Sequence, residues 1–172
     1  MINSERLFYR PVLEEDLNEN YVRWLNDRNV SQYLETKYKV QTLETVRIYW
    51  EENHNRDDSP WFAICKKEGS KHIGNIKLGP INWIHRKAEI SLFIGDQEEW
   101  GKNFATEAIA AITSWAFNIL NLEKINAYIY ETNIASRKAF IKSGYQEEGL
   151  LLKDAFLDGS RVNVSVLGKA RL

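Results

Sequence analysis

Six consecutive residues, Trp100-Gly101-Lys102-Asn103-Phe104-Ala105, stand between an alternating strand pattern and the most regular amphipathic helix pattern in the chain. A helix that opens there presents backbone N–H groups with no carbonyl one turn behind them, and its aligned peptide dipoles add partial positive charge, so the segment suits a phosphate. Gly101 permits a tight turn and a close approach of a diphosphate to the backbone, and Lys102 could add charge. Alone, the same segment could equally be an ordinary loop. Other chemistry finds little support. His54, His72 and His85 lie at no metal-ligand spacing and Cys65 falls in an apolar strand pattern, so no metal site is expected. No Gly-x-Ser-x-Gly motif occurs, and Gly101-Lys102 lacks the spacing of a Walker loop, which removes serine hydrolases and P-loop NTPases from consideration.

The elements that must hold this segment follow from periodicity. Leu7-Phe8-Tyr9-Arg10 reads as a short strand ended by Pro11, and Glu14-Glu15-Asp16 as the acidic first turn of a helix carrying Leu17, Tyr21, Trp24 and Leu25, broken at Asn26 to Asn29. Thr42 with Thr45 forms a partial capping box opening a second helix that ends near Asn53-His54-Asn55. Trp61–Cys65 and Ile73–Leu78 read as a hairpin, and Ala88–Gly95 as a third antiparallel strand. Ala105, Ala108, Ile109, Ile112, Trp115, Ala116 and Ile119 form the stripe of a helix packed on a sheet. A strand from Ile125 to Tyr130 follows, then a helix from Ile134 to Ser143 with Asn133 as N-cap and Gly144 just past its end. Two strands, Tyr145–Leu152 and Val162–Leu167, close the chain. The order predicts an α/β domain with a mixed central sheet and helices on both faces.

Composition agrees with one domain over residues 1–172: 44% hydrophobic and 12% aromatic residues supply a core without disulfides or metal. Lys plus Arg number 23 against 24 Asp plus Glu, so no general attraction to nucleic acid or anionic membrane is expected. A single cysteine, a first segment without an apolar core and no apolar run of about 20 residues set a cytoplasmic, non-membrane chain as the expectation.

Glu99-Trp100-Gly101-Lys102-Asn103-Phe104-Ala105-Thr106-Glu107-Ala108 resembles the acetyl-CoA-binding motif of the GNAT N-acetyltransferases, written Gln/Arg-x-x-Gly-x-Gly/Ala, and Asn133-Ile134-Ala135-Ser136 through Ser143-Gly144-Tyr145 resembles that family's second motif. With the order of elements, the likeness spans nearly the whole chain, and its flavour is that of the branch acetylating ribosomal-protein N-termini and related amines. Trp100 departs from the usual Gln or Arg, and Asn103 from the usual first Gly, a position where Asn tolerates positive φ better than most residues.

The resemblance implies the GNAT fold, acetyl-CoA as co-substrate and no metal. It places the backbone of Leu92, Phe93 and Ile94 against the pantetheine arm, splayed from the next strand by a β-bulge, and gives Gly101, Lys102, Asn103, Phe104 and Ala105 to the pyrophosphate, with Asn133 and Ser136 also touching cofactor. Glu89 is the candidate base, acting through water, or else a strand carboxylate paired with Arg86 or Lys87. The tyrosine that protonates the thiolate in many relatives corresponds to Phe140, which leaves Ser136 as candidate, or as a helix-start serine satisfying backbone. The acceptor side is expected at Trp24, Asn26, Asp27, Tyr33, Asn75, Asn82, Trp83 and His85, each of which also has a plain packing or turn reading. Trp24-Leu25-Asn26-Asp27 with His72–Leu78 looks like sugar-modifying members, so the expected acceptor is a nucleotide-linked amino sugar. A protein N-terminal amine and a non-catalytic acetyl-CoA-binding module are the alternatives. Many proteins of the family are dimers, which sets a homodimer as the expectation.

Overall fold

Leu7 and Tyr9 are wholly buried while Phe8 and Arg10 are not, the period-two signature of a strand with one face on a core. In the computed structural model, which describes residues 1–172, this strand is β2 (Leu7–Pro11), preceded by a two-residue β1 (Ile2–Asn3). There follow α1 (Glu19–Asn26), α2 (Arg28–Ser31), α3 (Leu43–Asn53), β3 (Trp61–Lys66), β4 (His72–Leu78), β5 (Lys87–Ile94), α4 (Phe104–Asn118), β6 (Lys124–Tyr130), α5 (Ile134–Lys142), β7 (Gln146–Leu157) and β8 (Ser160–Ala170). One eight-stranded sheet runs β1-β2-β3-β4-β5-β6-β8-β7, antiparallel except at β5–β6.

Successive residues of β3 serve opposite faces. Ile64 joins a 23-residue cluster under α4 and α5, with Ile109, Ile112, Ile125, Phe140 and Leu167, whereas Ala63 and Cys65 join a nine-residue cluster under α1, with Tyr21, Trp24, Leu25 and Val46. The mixed sheet with helices on both faces is therefore as the order of elements implied.

Local chemistry moved some boundaries. Glu14–Asp16 is a 3₁₀ turn rather than the start of the first helix. Asp16 takes both guanidinium nitrogens of Arg10 at 2.6 and 2.7 Å and the Leu13 N–H at 2.8 Å, which holds that turn against β2. Asn18 is the better cap, accepting from Asn20 N–H and Tyr21 N–H, so α1 begins at Glu19 and Leu17 packs from outside it. The Thr42–Thr45 box is complete, with reciprocal bonds of 2.9 and 3.2 Å. β7 and β8 extend beyond the expected spans because two register shifts and the exposure of nearly all of β7 erase the alternation by which strands are read. No helix is long and apolar enough to cross a membrane.

Candidate active site

β5 and β6 pair in parallel at only three positions, Lys87 with Lys124, Ala88 with Ile125 and Glu89 with Asn126. Past them the strands part, while β5 keeps an unbroken register with β4 from Ile90 to Ile94. The opening expected from a bulge is thus made by divergence, with no register shift in either ladder of β5. Into it faces a cleft of about 590 Å³ lined by Leu92, Phe93 and Ile94 on one side, Asn133 to Ser136 at the start of α5 on the other, and Gly101 and Asn103 to Thr106 at its end.

The loop before α4 is built for an anion. The first backbone bond of the helix is Glu107 N–H to Asn103, at 3.0 Å, and the six amides from Gly101 to Thr106 donate to no backbone carbonyl. Gly101 and Asn103 both sit at positive φ, +75° and +64°, which folds the chain tightly into the helix. An added Cβ at Gly101 would touch no protein atom, so the space beside it is open to a ligand. Trp100, in place of Gln or Arg, donates its indole N–H to the Ile94 carbonyl at 2.8 Å and fastens the loop to the end of β5.

Lys102 does not serve as expected. Its ammonium binds Glu99 at 2.9 Å, beside Lys66 on the same carboxylate at 3.0 Å, and it is absent from the cleft wall. Lys102 first and Lys66 second hold the buried Glu99 carboxyl below the usual range. The free cations near the cleft are on α5, where Lys138 and Lys142 line it and Lys142 reaches the Asn103 side-chain oxygen at 3.4 Å. Asn133 caps α5 by accepting from Ser136 N–H at 3.2 Å, and both residues lie on the wall. Phe140 is buried edge-to-face on Tyr145, with ring centroids 5.0 Å apart, and does not line the cleft.

On the far side of Phe93 and Leu92 lies a second cavity of about 860 Å³. It shares Tyr33, Leu34, Leu92 and Phe93 with the first, so the two meet at the end of β5. Its wall is aromatic, with Tyr38, Tyr49, Trp61, Tyr128 and Tyr130, and carries two carboxylates, Glu35 and Asp154. Tyr130 donates to Glu35 at 2.6 Å; burial first, then this bond, push its phenol far up. Of the two cations on the wall, Lys77 is tied to Tyr49 at 3.0 Å and Asn53 at 3.2 Å. Three buried side-chain polar atoms in the molecule lack a partner, and two of them, Thr36 Oγ1 and Asn75 Nδ2, belong to residues of this wall.

Of the acceptor-side residues expected from sequence, Tyr33 and Asn75 line this cavity and the others do not. Trp24 is buried over Gly95, which leaves no room there for a side chain, and edge-on to His72 at 5.2 Å. Asn26 clamps Gln41 through two bonds of 2.9 Å. Asp27 caps α2 and accepts from Gln97 at 2.8 Å. Asn82, Trp83 and His85 occupy the exposed β4–β5 loop, where the Asn82 side chain accepts from His85 N–H. Glu89, the candidate base, lies on the strand that opens into the cleft. It shares a face of β5 with Ser91 and Phe93 but is exposed, pairs with neither Arg86 nor Lys87, and lines neither cavity. Glu35, Tyr38, Tyr49, Tyr128, Tyr130 and Asp154 were not singled out from the sequence, where they stand in separate segments without a shared motif.

Residues 6–146 match the family model of the acetyltransferase (GNAT) domain. The chain belongs to the GNAT acetyltransferases. Among curated GNAT proteins, the spermidine N(1)-acetyltransferase of Escherichia coli K12 is 30% identical over 165 residues, covering 95% of this chain and 85% of that one. An uncharacterized N-acetyltransferase of Bacillus subtilis, YoaA, is 26% identical over 168 residues, covering 96% and 94%. The crystal structure of Vibrio cholerae spermidine N-acetyltransferase in complex with CoA and spermine superposes with a TM-score of 0.86 at 25% identity, over 96% of this chain and 95% of that one. This GNAT chain is accordingly an acetyl-CoA-dependent N-acetyltransferase that transfers acetyl to an amine, and six consecutive free amides beside an open strand edge fit that cofactor. The finer branch finds no support. These relatives point to neither the ribosomal-protein nor the amino-sugar branch, and Trp24 and His72, which carried the sugar likeness, are packing residues.

Proposed function

We propose that the acceptor is a small aliphatic polyamine, acetylated on a primary amine where the two cavities meet. The observation that carries this reading is the aromatic cavity opening onto the cofactor cleft at Tyr33, Leu34, Leu92 and Phe93, with Glu35 and Asp154 on its wall. Tyrosine faces and carboxylates together suit an alkyl chain bearing ammonium groups, through apolar contact, cation–π attraction and ion pairing. The named activity of the relatives supports the same class.

When bound, acetyl-CoA supplies the thioester carbonyl that the amine attacks. The chain's part is mainly position and electrostatics. Transfer of one ammonium from water to the aromatic wall lowers its pKa, and its proton leaves to water at the open mouth, while Glu35 holds a second ammonium of the same molecule. Ser136, a residue of the cleft wall, donates to the departing thiolate in place of the phenol that Phe140 cannot supply.

With spermidine as acceptor, Glu35→Gln is expected to raise its KM roughly tenfold, the loss of a charge-assisted contact, with KM for acetyl-CoA unchanged. An unaltered spermidine KM would remove Glu35 from the acceptor site.

A further inference from the structure

The loop that faces the cofactor is held from behind by a residue outside both family motifs. Arg6, between β1 and β2, donates from Nη1 to the Lys102 carbonyl at 3.1 Å. Its guanidinium lies 4.3 Å from the centroid of the Phe104 ring. Its remaining donors meet Glu107, Nε at 2.8 Å and Nη2 at 2.8 Å, and its own backbone N–H reaches the same carboxylate at 2.7 Å. Glu107 is fixed in turn by the Ser4 hydroxyl at 2.7 Å. Arg6 therefore grips the first turn of α4 at a carbonyl, a ring and a carboxylate.

In a trans peptide the carbonyl of one residue and the N–H of the next point in opposite directions. With the Lys102 carbonyl held on the back of the loop, the Asn103 N–H must face forward, and Lys102 alone among residues 99–106 is missing from the cleft wall. The alternative arrangement is a flip of that one peptide. It would turn the Asn103 φ from +64° to negative values, relieving a left-handed conformation that a residue with a Cβ disfavours, and would aim a carbonyl dipole at the cleft. We infer that Arg6 is a positioning residue for acetyl-CoA: it locks the Lys102–Asn103 peptide with its N–H toward the diphosphate, against the backbone preference of Asn103.

This rests on the reading that the Gly101–Thr106 amides hold the diphosphate, and the test separates the two. Acetyl-CoA dissociation constants are measured by calorimetry, and KM and kcat by thiol release, for R6K, R6M, N103G, the double variant R6M/N103G and G101V. R6K keeps the ion pair with Glu107 but loses the fork that reaches Lys102, so it folds and is expected to weaken acetyl-CoA roughly tenfold, with KM following and kcat little changed. R6M weakens it at least as much. Because glycine has no quarrel with positive φ, N103G restores more affinity in the R6M background than it adds to the wild type. Wild-type affinity in R6K and R6M, or the same N103G effect in both backgrounds, overturns the proposal. If G101V also binds like wild type, the loop reading fails with it; if G101V binds weakly and the Arg6 variants do not, only the role of Arg6 fails.

Discussion

Gly101 carries the most direct consequence at the scale of single residues. It stands at φ +75° with open space where its Cβ would be, so Gly101→Val costs stability of only about 1–2 kcal/mol from backbone strain but places a branched side chain where the diphosphate must approach. A rise in KM for acetyl-CoA of roughly tenfold or more with a small shift in Tm is the expected result, and steady-state kinetics with a melting curve checks both. His72 gives a pH dependence. Burial is the main force that pushes its pKa below 6.5, against the pull of Asp16 at 3.7 Å. Below pH 6.5 the unfolded chain takes up a proton that the native one resists, so stability falls as pH drops from about 6.5. His72→Gln removes that slope in urea titrations between pH 7 and 5; an unchanged slope would assign it elsewhere. The tight turn at Gly101 and the Asn133 cap on Ser136 were legible in the sequence because turn and cap chemistry depends on neighbours in the chain. Trp24 and Trp83 fall away from both cavities because exposure and facing depend on partners the sequence does not name. The Glu35–Tyr130 bond joins residues far apart in the chain and leaves no local periodicity to find.

The strongest element in the sequence was also the best placed in space. The stripe of α4 buries Ala108, Ile109, Ile112 and Ala116 completely, and this packing rather than any cap fixes the helix, since Asn103 makes no side-chain capping bond. Ile112→Ala is therefore expected to cost about 2–5 kcal/mol in chemical denaturation. By contrast, Asn18→Ala, which removes two bonds to the start of α1, costs about 1 kcal/mol. The lengths of β7 and β8 were not legible: β7 lies at the sheet edge with nearly every residue exposed, and its two register shifts break the period-two pattern. The start of α1 was misread for a different reason, since three acidic residues announce a helix N-terminus, and only the Arg10–Asp16 pair reveals that they close a turn instead.

The whole molecule is a sheet held fast at its ends and parted in the middle. Three residue pairs join β5 to β6, and beyond them the two cavities meet at Leu92 and Phe93. A ligand that bridges this gap stabilises the native state by mass action, and the amides of Gly101 to Thr106, without acceptors in the chain, should exchange rapidly in the free protein and slow when acetyl-CoA is bound. The order of elements was enough to foretell a mixed sheet covered on both faces, whereas the second cavity was not foreseeable, because its wall draws on nine separate segments that only the fold brings together. What the cavity accepts is decided by one assay: thiol release from acetyl-CoA by the purified protein, offered spermidine and spermine, nucleotide-linked amino sugars and N-terminal peptides side by side. Turnover with the polyamines well above the others, abolished neither by chelators nor by high peptide, is the predicted result. Faster release with an amino sugar or a peptide, with the polyamines silent, would contradict it.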